Sequence, residues 1–174
     1  PGAERPEMIH TGPAMVAAVQ HGTGHRLVAV HATWLEPDGS GKAELAAPDG
    51  SRLPARKMRG ETGGGHVRFA AAPDGGRLTV AEGIESALAL VALGVTPVWA
   101  ALSLSNLRAA VPAGVREVVL AVDGDERRPL EAERAKRAAA AAHATRGHLV
   151  RVARPADGHD WNSWLVHLRS LENA

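Results

Sequence analysis

At 174 residues with 45% apolar side chains the chain suits one domain, or a domain with a smaller lobe, and can fill a packed core, which excludes a disordered protein; a formal net charge of +1 predicts no polyelectrolyte partner. The absence of cysteine excludes disulfides and thiolate-held zinc and fits a reducing cytoplasm, and the absence of tyrosine excludes any tyrosine-nucleophile chemistry within the chain. Of the 20 lysines and arginines, seventeen are arginine, the residue whose planar fork meets phosphate oxygens two at a time.

The chain starts at Pro1 rather than methionine, so it reads as a piece of something longer, and it opens with neither a signal peptide nor a basic-flanked anchor. Residues 1–75 read as a small β-rich lobe. "AMVAAVQHGTGHRLVAVHATWLEPDGSG" predicts two strands around the turn "HGTG", ending at "PDGSG". A helix over Pro13 to Gln20 is the competing reading; strands are preferred because no clear helical length follows. Next comes "SRLPARKMRGETGGGHVRF", in which Arg52, Arg56, Lys57, Arg59 and Arg68 surround a glycine run. "GETGGGH" lacks the GK[ST] ending of a phosphate loop and opens no helix, so a flexible connector is expected. Arg56, Lys57 and Arg59 would give this lobe a positive face able to take a template strand, with a solvated basic loop as an even alternative. Trp34, near a strand end on the same lobe, is a candidate for stacking on a base.

From residue 76 onward strand and helix alternate. "RLTVAEG" is a strand ending at Glu82; "ESALALVALG" is a helix closing at Gly94; "TPVWAAL" is a strand; "SNLRAAV" is a short helix capped by Ser105 or Asn106. The apolar run from Ser86 to Leu102 approaches the length of a membrane span, but "GVTP" splits it into helix, turn and strand. "EVVLAVDGD" follows, then the helix "LEAERAKRAAAAAHATRG" ending at Gly147, the strand "HLVRVARP" and the helix "DWNSWLVHLRSL". On the long helix, Arg134, Lys136 and Arg137 with Glu131 and Glu133 predict a salt-bridged solvent face. The scattered histidines form no convincing ligand set, and Trp161 and Trp164 are expected to anchor the last helix to the sheet.

Such alternation predicts a parallel sheet with helices on both faces, because each parallel crossover needs roughly a dozen residues. The strand ends then deliver Glu82, Asp123 with Asp125, and Asp160 to one edge, where open α/β sheets bind ligands. An isolated "DGD" is ordinarily a solvated turn. Here a buried strand precedes it and "AEG" and "GHDWN" add acids at equivalent places. Carboxylates about 4 Å apart repel by roughly 4 kcal/mol at an effective dielectric near 20, so gathering them calls for a cation. All-oxygen donors select Mg2+ or Mn2+ over zinc and recruit phosphate oxygens.

"LTVAEGIESALAL", "VREVVLAVDGDERRPLEAERAKRAAAAA" and "GHDWNSWL" together resemble a Toprim domain over residues 77–169, most closely the primase type of bacterial, phage and plasmid replication proteins. The segment before it more loosely resembles the lobe that precedes this domain in phage- and plasmid-type primases. The resemblance implies an α/β Toprim sheet flanked by helices over residues 76–174, after the β-rich lobe of residues 1–75. It implies Glu82 as general acid/base and metal ligand, Asp123 and Asp125 as catalytic metal ligands, and Asp160 as a further acid at a second metal or at the nucleotide phosphates. Where the family carries Ala-Gly after the second aspartate this chain has Arg127 and Arg128, which can grip phosphate, and where a further acid is expected it has Asn162. Glu85 either compensates for that missing charge or is a solvated first-turn residue. The implied function is primase-type synthesis of RNA primers from nucleoside triphosphates on a single-stranded DNA template. A zinc-binding module and a helicase region would lie outside this chain. The alternatives are a Toprim nuclease and a non-catalytic nucleic-acid-binding module.

Overall fold

The structure is a computed structural model that describes residues 8–124, 129–156 and 158–172. Its first part comprises β1 (Ala14–His21), β2 (Leu27–Trp34), the two-residue strands β3 (Leu45–Ala46) and β4 (Arg52–Leu53), β5 (Arg56–Gly60) and β6 (Gly65–Arg68). The strand reading of residues 13–20 therefore holds over the helical one. The second part runs β7 (Arg77–Ala81), α1 (Ile84–Ala92), β8 (Val98–Ala100), a 3-10 turn (Leu104–Arg108), β9 (Glu117–Ala121), α2 (Pro129–Thr145), β10 (Leu149–Ala153) and α3 (Trp161–Glu172).

One eight-stranded sheet, in the order β10-β9-β7-β8-β6-β1-β2-β5, takes in both parts, while β3 and β4 pair separately. The first four strands of that order are parallel; β6 joins β8 antiparallel, and β1, β2 and β5 continue antiparallel. The expected α/β sheet with flanking helices is thus a mixed sheet with a parallel core and a β-rich extension. The boundary expected near residue 75 falls between β6 and β7, and the sheet passes through it by the β6–β8 pairing.

Each face has its own core. Ala81, Ala100 and Ala121 pack under α1 and α3 with Ile84, Ala87, Leu90, Trp161 and Leu165. Leu78, Val80, Val118, Leu120 and Val122 face α2 and the 3-10 turn with Leu107 and Ala139. Alternation along β7 divides its residues between the two, and each fully buried Val or Leu contributes about 1.5–3 kcal/mol. Both glycine-ended helices close in the Schellman manner. Gly94 has φ 82° and donates to Val91 O while Val95 donates to Leu90 O; Gly147 has φ 88° and donates to Ala144 O while His148 donates to His143 O.

Two local expectations change. The "SNLRAAV" helix is a five-residue 3-10 turn capped by Ser103, whose hydroxyl accepts from Asn106 N at 3.3 Å. Asn106 is engaged elsewhere: its amide donates to Gly65 O and Ala101 O, each at 2.7 Å, and accepts from Gly64 N at 2.9 Å. The glycine run is therefore a clamped turn between β5 and β6 rather than a loose connector.

Candidate functional site

β7 and β9 pair in parallel with Ala81 opposite Ala121, so the chain leaves both strands side by side. Glu82 follows directly on β7 and Asp123 stands two residues beyond β9, on neighbouring strands about 4.8 Å apart. Both are partly buried. Ser86, buried in the first turns of α1, donates its hydroxyl to Asp123 Oδ1 at 3.0 Å and aims that carboxylate. Three residues of the expected site, Asp125, Arg127 and Arg128, lie outside the described residues.

The loop before α3 docks on the Asp123–Gly124 turn: Gly124 N donates to His159 O at 2.8 Å, and Trp161 Nε1 donates to Val122 O at 3.1 Å. This carries Asp160 toward the acidic edge. Its Oδ1 accepts from Ser163 N at 2.6 Å, and Asp160 N donates back to Ser163 Oγ at 3.1 Å, a reciprocal cap on α3. Asn162 is exposed on the same first turn. Glu85 is ion-paired with Lys42, and both side chains are partly exposed.

Sequence reasoning missed Ser86 at this edge and the burial of Lys136 on α2. Lys136 does not lie on a solvent face. Its side chain is 3% exposed, and its ammonium stands 3.5 Å from Glu133 Oε1. Burial lowers its pKa, Arg154 adds to the fall, and Glu82 and Asp123 oppose it. Arg134 and Arg137 are not buried, as expected. The signal for Lys136 was its place in the stripe Ala132, Lys136, Ala139 and His143, the buried residues of α2.

Among the described residues no three His, Asp or Glu side chains stand close enough to cage a metal ion. What the edge presents is a pair of hard carboxylate donors. That suits Mg2+ or Mn2+, which bind through one or two carboxylates and complete their shell with water and substrate phosphate.

A groove of about 580 Å³ lies over the far end of the sheet. Its floor is Val30, Ala32 and Trp34 with Leu45, Leu53 and Pro54, and Arg56, Lys57 and Arg59 border it. All three basic residues are exposed. In the β2–β5 register Lys57 is opposite Ala32 and Arg59 opposite Val30, so these two share the groove face, while Arg56, opposite Thr33 at the first residue of β5, alternates to the other face and meets the groove only at its rim. Arg56 contributes, after burial, to lowering the pKa of His31. Continuing the alternation through β1, β6 and β8 puts the groove on the face that carries α2 and Lys136.

A mostly parallel sheet whose adjacent strand ends carry carboxylates, with helices on both faces and a β extension, defines an α/β domain with an acidic edge. A family model described as "Toprim domain" matches residues 77–169, more than half of the chain, and the chain belongs to that family. Residues 2–69 match a model described as "Domain of unknown function (DUF7146)". The fold is similar to the crystal structure of a DNA primase domain from Pseudomonas aeruginosa, with a TM-score of 0.51 and 18% sequence identity. The match covers 90% of this chain and 55% of that one, so the chain spans about half the length of its structural relative. At that identity the likeness is one of fold alone. No curated protein matches the sequence. Among the described residues no helix is long and apolar enough to cross a membrane.

Proposed function

We propose that this chain is a primase-type catalytic core, joining ribonucleotides from nucleoside triphosphates on a single-stranded DNA template with Mg2+ or Mn2+. The observation that carries the reading is the register of β7 and β9, which brings Glu82 and Asp123 off adjacent strand ends within the Toprim match. A divalent ion held there would supply Lewis-acid stabilisation of the charge that builds as the 3′-hydroxyl displaces pyrophosphate from a nucleoside triphosphate. Asp123, steadied by Ser86, and Asp125 would hold the ion; Glu82 would share it and take the proton of the attacking 3′-hydroxyl. Asp160 would add charge at a second ion or orient water at the phosphates. Arg127, Arg128 and Asn162 would meet the triphosphate, and Arg56, Lys57 and Arg59 the template backbone, with Trp34 offering a face for a base. The zinc-binding module and helicase region of a complete primase would lie in other chain segments, so priming by this piece alone is expected to be weak and unspecific.

The deciding assay is incorporation of labelled ribonucleotides on single-stranded DNA with Mg2+ or Mn2+. Template-dependent products, reduced about a hundredfold or more by Glu82→Gln and Asp123→Asn, support the proposal. Cutting of the DNA without incorporation would assign the same carboxylates to a nuclease. DNA binding with no divalent-ion binding would make the chain a non-catalytic module.

A further inference from the structure

The loop that crosses the Asp123–Gly124 turn brings a group of rings with it. His159 stands just before the Asp160 cap, and its ring lies 5.4 Å from that of Trp164, four residues into α3. Side chains at these two places commonly pack as a staple that fixes the angle at which the chain enters a helix. That duty accounts for two rings. A third, His167, lies one turn further along α3 and is exposed, and it stacks on Trp164 at 5.2 Å and on His159 at 5.6 Å, tilted 29° from each. The group is held from behind: Trp164 packs on the core under α1 and α3, and His159 Nδ1 stands 3.2 Å from Ser163 Oγ. Its outermost ring faces water.

Backbone ties these rings to the acidic edge, since His159 O accepts from Gly124 N at 2.8 Å, one residue from Asp123. A nucleotide whose phosphates lie at the carboxylates carries a planar base at its other end. Stacked side-chain rings take any base by its π-face, without reading its edge. We infer that the His159, Trp164 and His167 cluster is the platform for the base of the incoming nucleoside triphosphate, with His167 as the ring on which that base stacks. The inference rests on the reading of Glu82 and Asp123 as the edge that holds metal and phosphate. The basic groove lies on the α2 face of the sheet and α3 on the opposite one, so template and nucleotide would approach the edge from opposite faces and meet there.

The test compares, by calorimetry with Mg2+ and the whole chain, the binding of ATP and of ribose 5-triphosphate, which keeps the sugar and phosphates but lacks the base. Wild type is expected to hold ATP about fivefold more tightly or better, and His167→Ala to lose that advantage while keeping its affinity for ribose 5-triphosphate. His167→Phe, which restores a flat ring, should stay near wild type. His167 is exposed, so the thermal midpoint should not move in either variant. Magnetisation transfer in NMR from the adenine protons to the rings of His159 or His167 would show the contact itself. Equal binding of the two ligands by wild type, or an equal loss of both in His167→Ala, overturns this inference and leaves the edge reading standing. If His167→Ala weakens single-stranded DNA binding and leaves ATP unchanged, the ring serves the template and the inference is likewise wrong. If neither ligand binds with Mg2+ or Mn2+, the edge reading itself fails and takes the inference with it.

Discussion

Gly124 stands between two aspartates for a reason of space. A Cβ there would meet His159 O at 2.8 Å and Ala156 O at 3.4 Å, since the loop leading to α3 crosses directly over the turn. The "DGD" pattern is legible in the sequence, but that steric reason belongs to backbone more than thirty positions away. His66 offers a pH test at the same scale. It is fully buried beside Trp99, and neither ring nitrogen has a hydrogen-bond partner among the described residues. Burial first, then the Arg68 charge, lowers its pKa to about 4 from 6.5. Between those values the unfolded chain takes up a proton that the folded one refuses. The stability contributed is therefore complete above pH 6.5 and is lost as pH falls toward 4. The urea midpoint should drop between pH 7.5 and pH 4.5, and His66→Leu should make that drop shallower, as measured by denaturation at each pH. His31 and His143, also lowered mainly by burial, add slopes of the same sign.

Among the elements, α3 links packing to the acidic edge most directly. Trp161 fixes the helix to the end of β9 through Val122 O, and the Asp160–Ser163 cap sets where it begins. Asp160→Ala should lower stability by about 1 kcal/mol in chemical denaturation. Asp160→Asn preserves a good cap while removing the charge, so it should unfold like wild type. If nucleotide incorporation nevertheless falls with Asp160→Asn, the carboxylate acts at the site as well as at the helix. Most element types are readable from periodicity and from the glycines at 94 and 147, since those cues act within a few residues. The 3-10 turn departs from expectation for the opposite reason. Asn106 would make a good local cap, but four backbone groups of Thr62, Gly64, Gly65 and Ala101 claim its side chain.

For the whole molecule the decisive feature is continuity of the sheet. β6 pairs with both β8 and β1, making the β-rich extension and the parallel core one surface, with groove and Lys136 on the same face. A strand laid in the groove can thus be aligned with the acidic edge by a rigid element rather than by a hinge. Lys57→Gln with Arg59→Gln should weaken single-stranded DNA binding. The double change should also flatten the dependence of log affinity on log salt by about 1.4, at roughly 0.7 for each phosphate no longer neutralised. Both positions are exposed, so the unfolding midpoint should not move. Fluorescence titration of DNA at several salt concentrations, beside a thermal melt, checks both expectations.

By itself the sequence determined the parallel strands, the helices that cross between them and the edge at which Glu82 and Asp123 emerge. Apolar periodicity and glycine stops are local, and strand ends follow from them. Only the tertiary structure decided that a lysine on α2 would be buried, that Ser86 would aim Asp123, and that Asp160 would commit an oxygen to a helix cap. Each of these depends on where distant backbone comes to rest, because the electrostatic balance of a buried group is set by its neighbours in space and not by its neighbours in the chain.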